Sequence, residues 1–404
     1  MSLSDPSRRG FLRSTALGLG ALGLSVGAAH AQTGSGGTPP GPDLPTAPAG
    51  RPQPALNGPD PRPAPPGDRV GWAICGLGHF AQNYVLPHVT EGVESRLTGL
   101  ISGTPEKLAE VGGAYGVPEA ARFGYDMAGL AEVDDIDVVY VVTPTGLHAK
   151  HTLAGFDAGK HVLCEKPMAS SVDECNAMID AGEKAGKHLM IAYRVRYDNA
   201  NTRAIEYARN ETLGPVRMIS GEIAYPDGRQ VTWRNDPALN GGGGPLMDLG
   251  IYMVQAHRYI SGEEPARVSG MTWRPENDPR FPEGVESRVS WQFEFPSGLL
   301  ATGVNAWDCG GTNRYAVICE NGRIELDPAT GYEERTMTVN GKPLDVERAN
   351  QFANELDHMA ECVMQDKTPK TPGEEGRQDV HLMKKIYESA REGRTLEVEN
   401  LRDA

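Results

Sequence analysis

The sequence has no excess of positive charge: 39 Lys and Arg stand against 54 Asp and Glu, a formal net charge of −15. Nucleic acid and anionic membrane surfaces repel such a chain, so neither is expected as a partner. Cysteine is scarce. The six (Cys75, Cys164, Cys175, Cys309, Cys319, Cys362) include no CxxC pair and no spacing that suits a metal, and no metal is expected. Cys75 and Cys164 lie in apolar, strand-like runs and read as small buried thiols. The apolar run from Ala16 to Ala29 is Gly-rich and too short to span ~30 Å of hydrocarbon. Aromatics at 6% and hydrophobic residues at 39% are ordinary for a soluble globular protein. The 404 residues leave room for two cores at ~150 residues per domain.

What is there begins with an address. Arg8-Arg9-Gly10-Phe11-Leu12 precedes the apolar run, which closes on the A-x-A-like Ala29-His30-Ala31. The twin arginine reads as a Tat signal over residues 1–31, placing the mature protein in the periplasm with no membrane attachment after cleavage. A chance Arg pair before a Sec-type or anchoring segment is the plainer alternative. Tat export carries folded proteins, so an enzyme can load a nucleotide before it leaves the cytoplasm. Residues 32–67 form a proline-rich arm in which no period of 2 or 3.6 is visible, so an extended, semi-rigid conformation is expected. The arm is either a spacer or a segment that docks on its own domain or a neighbouring subunit.

Residues 68–194 read as a nucleotide-binding domain. Arg69 to Cys75 is a buried first strand running into Gly76-Leu77-Gly78-His79-Phe80-Ala81, a G-x-G-x-x-A turn that opens a helix. The first glycine permits the tight turn, the second lets a pyrophosphate approach the backbone, and Ala81 allows close helix–strand packing. The helix N-terminus supplies free N–H groups for phosphate. The strand Arg96–Ile101 ends without the acidic residue that grips a ribose 2′-hydroxyl in NAD sites. Ser102 and Lys107 stand there instead, a hydroxyl and an ammonium that suit a 2′-phosphate, so NADP is favoured over NAD. The strand-like runs Ile136–Val142 and His161–Cys164 end in Thr143-Pro144, followed by Leu147-His148, and in Glu165-Lys166-Pro167. Ligands bind beyond the carboxyl ends of strands in doubly wound sheets, which aims both ends at the cofactor. Lys166 is a candidate catalytic group, because its charge polarises oxygen and stabilises a neighbouring conjugate base.

Gly76-Leu77-Gly78, Glu165-Lys166-Pro167 and Gly242-Gly243-Gly244-Pro245-Leu246-Met247-Asp248-Leu249-Gly250-Ile251-Tyr252 together resemble the glucose–fructose oxidoreductase, inositol dehydrogenase and rhizopine-catabolism superfamily. The proline-rich arm narrows the resemblance to its exported glucose–fructose and aldose–aldose oxidoreductase branch. So do Tyr193-Arg194, Ser261-Gly262-Glu263-Glu264-Pro265, Asp327 to Tyr332, and Pro372 to Gly376. The resemblance covers most of the mature chain. It implies an arm that wraps over NADP or a neighbouring subunit, and NADP that stays bound while one sugar is oxidised and a second reduced. His79 stands where the glucose–fructose enzymes have lysine, and Arg196 where they have histidine, which leaves the sugar pair open.

Residues 195–404 read as a substrate and oligomerisation domain of α+β type. A helix from about Asn199 to Arg209 leads into strands at Val216–Ala224, Arg288–Phe295, Leu299–Ala306, Tyr315–Ile318 and Arg323–Leu326, each with period 2. An open, mostly antiparallel sheet covered by helices on one face leaves the other for a subunit, and a homodimer or homotetramer is expected. The fold class is therefore α/β: a doubly wound parallel sheet followed by a large open sheet. Asp248 and Tyr252 are four residues apart and share a helical face. Tyr252 is the candidate proton acceptor, Lys166 would stabilise its phenolate, and Asp248 would hold sugar hydroxyls or orient the base. The resemblance adds Arg194, Trp233, Arg234 and Tyr332 as residues around the nicotinamide. His79, Phe80, Leu147, His148 and Glu165 complete the expected cofactor contacts.

The reading that results is a sugar oxidoreductase taking an aldose to its lactone and a second aldose or ketose to an alditol. An NAD(P)-dependent sugar or inositol dehydrogenase that releases its cofactor is the enzymatic rival. A non-catalytic periplasmic sugar-binding or NADP-sensing protein is the rival of another class, which has no need of Lys166 and Tyr252.

Overall fold

The computed structural model describes residues 69–226, 231–333 and 335–402. The export signal and the whole of the arm read from the sequence lie outside them. Strand β1 (Val70–Cys75) is buried at every residue, as expected for an apolar run in a sheet covered on both faces. It sits at the centre of a six-stranded parallel sheet of order β3-β2-β1-β4-β5-β6, with β2 at Ser95–Ile101, β3 at Arg122–Phe123, β4 at Val138–Val141, β5 at His161–Glu165 and β6 at Leu189–Ala192. This is the doubly wound order, with its switch point at β1 and β4. The crossover helices are α1 (Leu86–Val89, preceded by a π-helical turn at Ala81–Val85), α2 (Pro105–Tyr115), α3 (His148–Asp157) and α4 (Val172–Ala185). Ser171 caps α4 by accepting the Glu174 N–H, a serine doing what helix starts ask of it.

Helix α5 (Asn199–Arg209) opens the second part, capped by the Asp198 carboxylate. Its sheet has nine strands in the order β14-β13-β12-β11-β7-β10-β9-β8-β15. The strands are β7 (Val216–Ala224), β8 (Arg267–Trp273), β9 (Arg288–Glu294), β10 (Leu300–Ala306), β11 (Thr312–Cys319), β12 (Gly322–Leu326), β13 (Met337–Val339), β14 (Lys342–Leu344) and β15 (Leu396–Glu397). All pairings are antiparallel except β7 with β10, which is parallel. On β10 the alternation is clear: Ala301 and Gly303 face inward while Leu300, Thr302 and Val304 are exposed. Helix α6 (Ile251–Ser261) packs on the inward face, preceded by a π-helical turn at Leu246–Gly250.

The last two helices return to the first sheet. On α7 (Gln351–Gln365), the Asp357 carboxylate accepts N–H bonds from Val93 and Glu94 and the hydroxyl of Ser95. Just before α8 (Gly373–Glu392), the Thr371 carbonyl accepts the Ile191 N–H of β6 at 2.8 Å. The first tie sits at the amino end of β2 and the second in β6, so segments far apart in sequence are locked together.

Candidate active site

Where β4 and β5 end, the chain leaves a cavity of about 360 Å³ between the parallel sheet and the nine-stranded sheet. Val142, Thr143, Glu165, Lys166 and Pro167 line it from the strand ends, and Asp248 and Tyr252 from α6 and its leading turn. Phe80, Thr145, His148, Arg194, Trp233, Arg234 and Tyr332 complete most of the wall. The motif residues Lys166, Asp248 and Tyr252 thus meet in one place.

The Lys166 ammonium donates to the Asp248 carbonyl at 2.8 Å and lies 3.5 Å from its carboxylate. It also sits 4.8 Å from the centre of the Tyr252 ring. Burial works against its charge, but Tyr252, Asp248 and Glu165 outweigh that and hold the ammonium above its usual range. Burial would likewise raise the Asp248 carboxyl. Arg234, which donates to it at 3.2 Å, and Lys166 win, and the group is held below the usual carboxylate range. Asp248 is therefore an ionised, cation-clamped carboxylate and a weak base. The Tyr252 phenol beside them is 7% exposed.

Arg194 lies beneath that phenol. Its guanidinium is 5.0 Å from the Tyr252 ring centre and 4.4 Å from that of Tyr332, and donates to the carbonyls of Thr330 (2.7 Å) and Gly331 (3.2 Å) and to Gln351 (2.9 Å). Glu165 is half-buried beside Lys166, where it accepts the Tyr140 hydroxyl at 2.7 Å; desolvation raises its carboxyl and Lys166 offsets part of the rise. His148 lines the cavity between the two strand ends, its ring nitrogens 2.8 Å from the Pro167 carbonyl and 2.7 Å from the Thr143 carbonyl.

The turn bearing Asp248 is held from behind by residues that the motif search missed. Glu286, 6% exposed, accepts the N–H of Gly244 (2.8 Å) and Leu246 (3.0 Å) and the hydroxyl of Tyr387 (2.9 Å). A Cβ on Gly244 would lie 2.2 Å from the Glu286 carbonyl oxygen, so only glycine passes. Lys384 donates to the Gly241 carbonyl at 2.7 Å. Burial pushes the Glu286 carboxyl up to about 7, against the N–H groups of Leu246 and Gly244 and the Tyr387 hydroxyl.

A dinucleotide fits the neighbouring turn. Gly76 takes φ +105°, and a Cβ there would lie 2.8 Å from the Val142 carbonyl oxygen, a requirement of the fold itself. Gly78 differs: a Cβ there would meet nothing within 4 Å. Its missing side chain leaves open space at a helix start, as a phosphate would need. Lys107 is exposed in the first turn of α2 and makes no hydrogen bond or ion pair among the described residues. The buried Ser102 hydroxyl accepts the Thr104 N–H at 3.2 Å. Leu77 is buried, and His79 is exposed with its ring against Asn83. Gly76, Leu77, Gly78, His79, Ser102, Lys107, Pro144 and Leu147 stand outside the cavity lining, along the path a nucleotide would follow from it. Among the described residues, no cluster of His, Cys, Asp and Glu suits a metal.

Known proteins agree with this geometry. Residues 70–193 match the oxidoreductase family with NAD-binding Rossmann fold (GFO_IDH_MocA), and residues 202–325 match the GFO/IDH/MocA C-terminal domain. D-xylose 1-dehydrogenase (NADP(+)) 2 of Haloferax volcanii is 33% identical over 337 residues, 81% of this chain and 99% of that protein. The corresponding NADP(+) enzyme of Haloarcula marismortui is 26% identical over 330 residues, 80% of this chain and 91% of that one. Among solved structures, the aldose–aldose oxidoreductase of Caulobacter crescentus complexed with glycerol has a TM-score of 0.78 at 42% identity, covering 82% of this chain and all of that one (100%).

Proposed function

Since this chain belongs to the GFO/IDH/MocA oxidoreductase family, we propose that it is an NADP-dependent sugar oxidoreductase, oxidising an aldose at its anomeric carbon to the lactone and reducing a second aldose or ketose to an alditol. The observation that carries this reading is the convergence of Lys166, Asp248, Arg194 and Tyr252 on one cavity at the carboxyl ends of the parallel strands. The names of the relatives above support a sugar as substrate and NADP as cofactor.

With its pyrophosphate along the G-x-G turn, a bound dinucleotide would supply the nicotinamide that exchanges a hydride with the sugar. Everything else is asked of the protein. Tyr252 acts as the phenolate, which the cations of Lys166 and Arg194 beside its ring stabilise, and becomes the phenol on taking the proton from the anomeric hydroxyl. Asp248, already ionised by Arg234 and Lys166, keeps lone pairs free to accept sugar hydroxyls and fix the anomeric carbon in place. In the reductive half the phenol returns its proton to the carbonyl oxygen of the second sugar. The aromatic rings of Phe80, Trp233 and Tyr332 add apolar surface to the lining.

A periplasmic address by way of Tat, and retention of NADP through turnover, belong to the same proposal and rest on residues 1–67. So does a homo-oligomer, supported by exposed apolar side chains on the open sheet face: Met218 at 51%, Met271 at 73% and Val304 at 47%. The xylose dehydrogenase relatives favour a second reading, in which NADP dissociates and one sugar suffices. One experiment decides: the purified protein, with no nucleotide added, is given an aldose pair, and products are followed by mass spectrometry. Lactone and alditol in equal amounts are expected, with NADP recovered on denaturation. Turnover only with added NADP selects the dehydrogenase, and no sugar oxidation under either condition overturns both.

A further inference from the structure

The cavity has a second wall, formed by the nine-stranded sheet through Ile223, Tyr225 and Asn313. Asn313 pairs with Ile223 across β11 and β7. On β11 the inward positions Tyr315, Val317 and Cys319 are buried, and Asn313 continues their register two residues earlier. Alternation asks for an apolar side chain there, and an amide stands in its place.

The two ends of that amide are told apart by their surroundings. Its oxygen accepts both the N–H and the hydroxyl of Thr330, each at 3.0 Å. Two donors on one atom identify it as the oxygen, which leaves the NH2 as the other end. That NH2 has no protein partner among the described residues. Thr330 is itself immobilised, since Arg194 donates to its carbonyl at 2.7 Å, and the Asn313 carbonyl accepts the Ala329 N–H at 2.7 Å. The side chain is therefore a preset donor of two N–H groups at a cavity wall, without an acceptor.

We infer that Asn313 is a specificity-determining residue, whose amide NH2 donates to a hydroxyl oxygen of the sugar remote from the reacting carbon. This rests on the sugar reading above. Lys166, Asp248 and Tyr252 hold the reacting end at the parallel strands, so a residue on the sheet wall meets the distal part of the ring. A hydroxyl there satisfies the NH2. A methylene leaves the donor unpaired, and so does an ammonium, which cannot accept.

The test pairs a protein change with a substrate change. Asn313→Asp keeps an acceptor for both Thr330 donors and removes the NH2; Asn313→Ala serves as a second variant should the new carboxylate disturb folding. Both are assayed with D-xylose and its monodeoxy analogues, with kcat and KM measured separately and NADP content and melting temperature checked. The parent is expected to lose about tenfold in kcat/KM with one particular deoxy sugar, mainly through KM. The variants are expected to show a similar loss with D-xylose and no further loss with that analogue. If the deoxy penalty is the same in parent and variants, or the parent shows no penalty with any analogue, Asn313 does not read a hydroxyl. A parent that oxidises no aldose overturns the sugar reading first, and this inference with it.

Discussion

The two ends of one helical segment carry buried charge in opposite ways. At its start, the Asp248 carboxylate and Tyr252 are surrounded by three cations, Lys166, Arg194 and Arg234, around an open cavity. At the other end of α6, Arg258 meets three acids: Glu264 at 2.6 Å, Glu375 at 3.1 Å and Asp379 at 2.6 Å. That second cluster lines no part of the cavity. Burial pushes Asp379 up to about 6 despite Arg258. A surplus of cations beside a cavity is arranged to receive negative charge from something that enters. A surplus of acids around one sealed arginine joins α6 to α8 and holds structure.

The sharpest way to break the comparison is at the cavity end. Tyr252→Phe keeps the ring between Lys166 and Arg194 but removes the proton carrier, and turnover should fall by about 10²–10⁴-fold in both half-reactions. Melting temperature and nucleotide content should be unchanged. Stopped-flow absorbance of the reduced nicotinamide, with one aldose mixed in, isolates the oxidative half. Parent-like reduction in the variant would end the role of the phenol.

The sealed end should answer in the other currency. Arg258→Met takes their shared cation from Asp379, Glu264 and Glu375, of which only Glu375 keeps another in Arg402, and removing one partner of a buried ion cluster costs about 3–5 kcal/mol. Urea unfolding should show that loss, while kcat per folded molecule stays near the parent value. A selective fall in kcat without loss of stability would show that the two ends are not separate.

Glu286 sharpens the contrast by pH. Its folded pKa of about 7 lies above the ordinary glutamate value, so between about 4.5 and 7 the folded state binds more protons than the unfolded one. Its contribution therefore favours folding at acid pH and is lost as pH rises through 7. A shift of this size corresponds to about 3 kcal/mol. The stability difference between parent and Glu286→Gln, followed by urea unfolding from pH 4.5 to 8, should change with pH in that sense. A difference independent of pH would mean that the carboxyl is ionised throughout.

The smallest effect is expected at the surface. Lys107→Ala should weaken NADP retention by about tenfold, the scale of one charge-assisted phosphate contact, and leave NAD affinity unchanged. Equilibrium dialysis of the stripped protein measures both, and equal weakening for the two nucleotides would remove Lys107 from the 2′-phosphate.

Much of this was readable one residue after another. The G-x-G-x-x-A turn, the Glu-Lys-Pro strand end and the Asp248–Tyr252 spacing each lie within a single element, where period and turn chemistry act over a few residues. Helix α5 has the bounds its pattern predicts, Asn199–Arg209. Strands β8, β13, β14 and β15 escaped notice; the last three have only two or three residues each, too few for alternation to show. Asn313 and Glu286 escaped too, because nothing in their neighbourhood marks them. A polar residue breaking the inward register of β11 was the one local signal available, and it identifies Asn313 only once the strand's inward face is known.

By itself the sequence determined that there would be a parallel nucleotide-binding sheet followed by an open, mostly antiparallel one, and it singled out Lys166 and Tyr252, which line one cavity. These follow from local rules: apolar period, glycine where φ is positive, and free N–H groups at a helix start. Only the tertiary structure decided which charges Asp248 would face, that His148 would sit between two strand-end carbonyls, and which residues would stand behind and across from the reacting atoms. Arg194 reaches Thr330 and Gln351 across more than a hundred residues of chain. Such partners are chosen by strand register and by helices that return to an earlier sheet. Electrostatic environment depends on distance in space, and sequence separation carries almost none of that information.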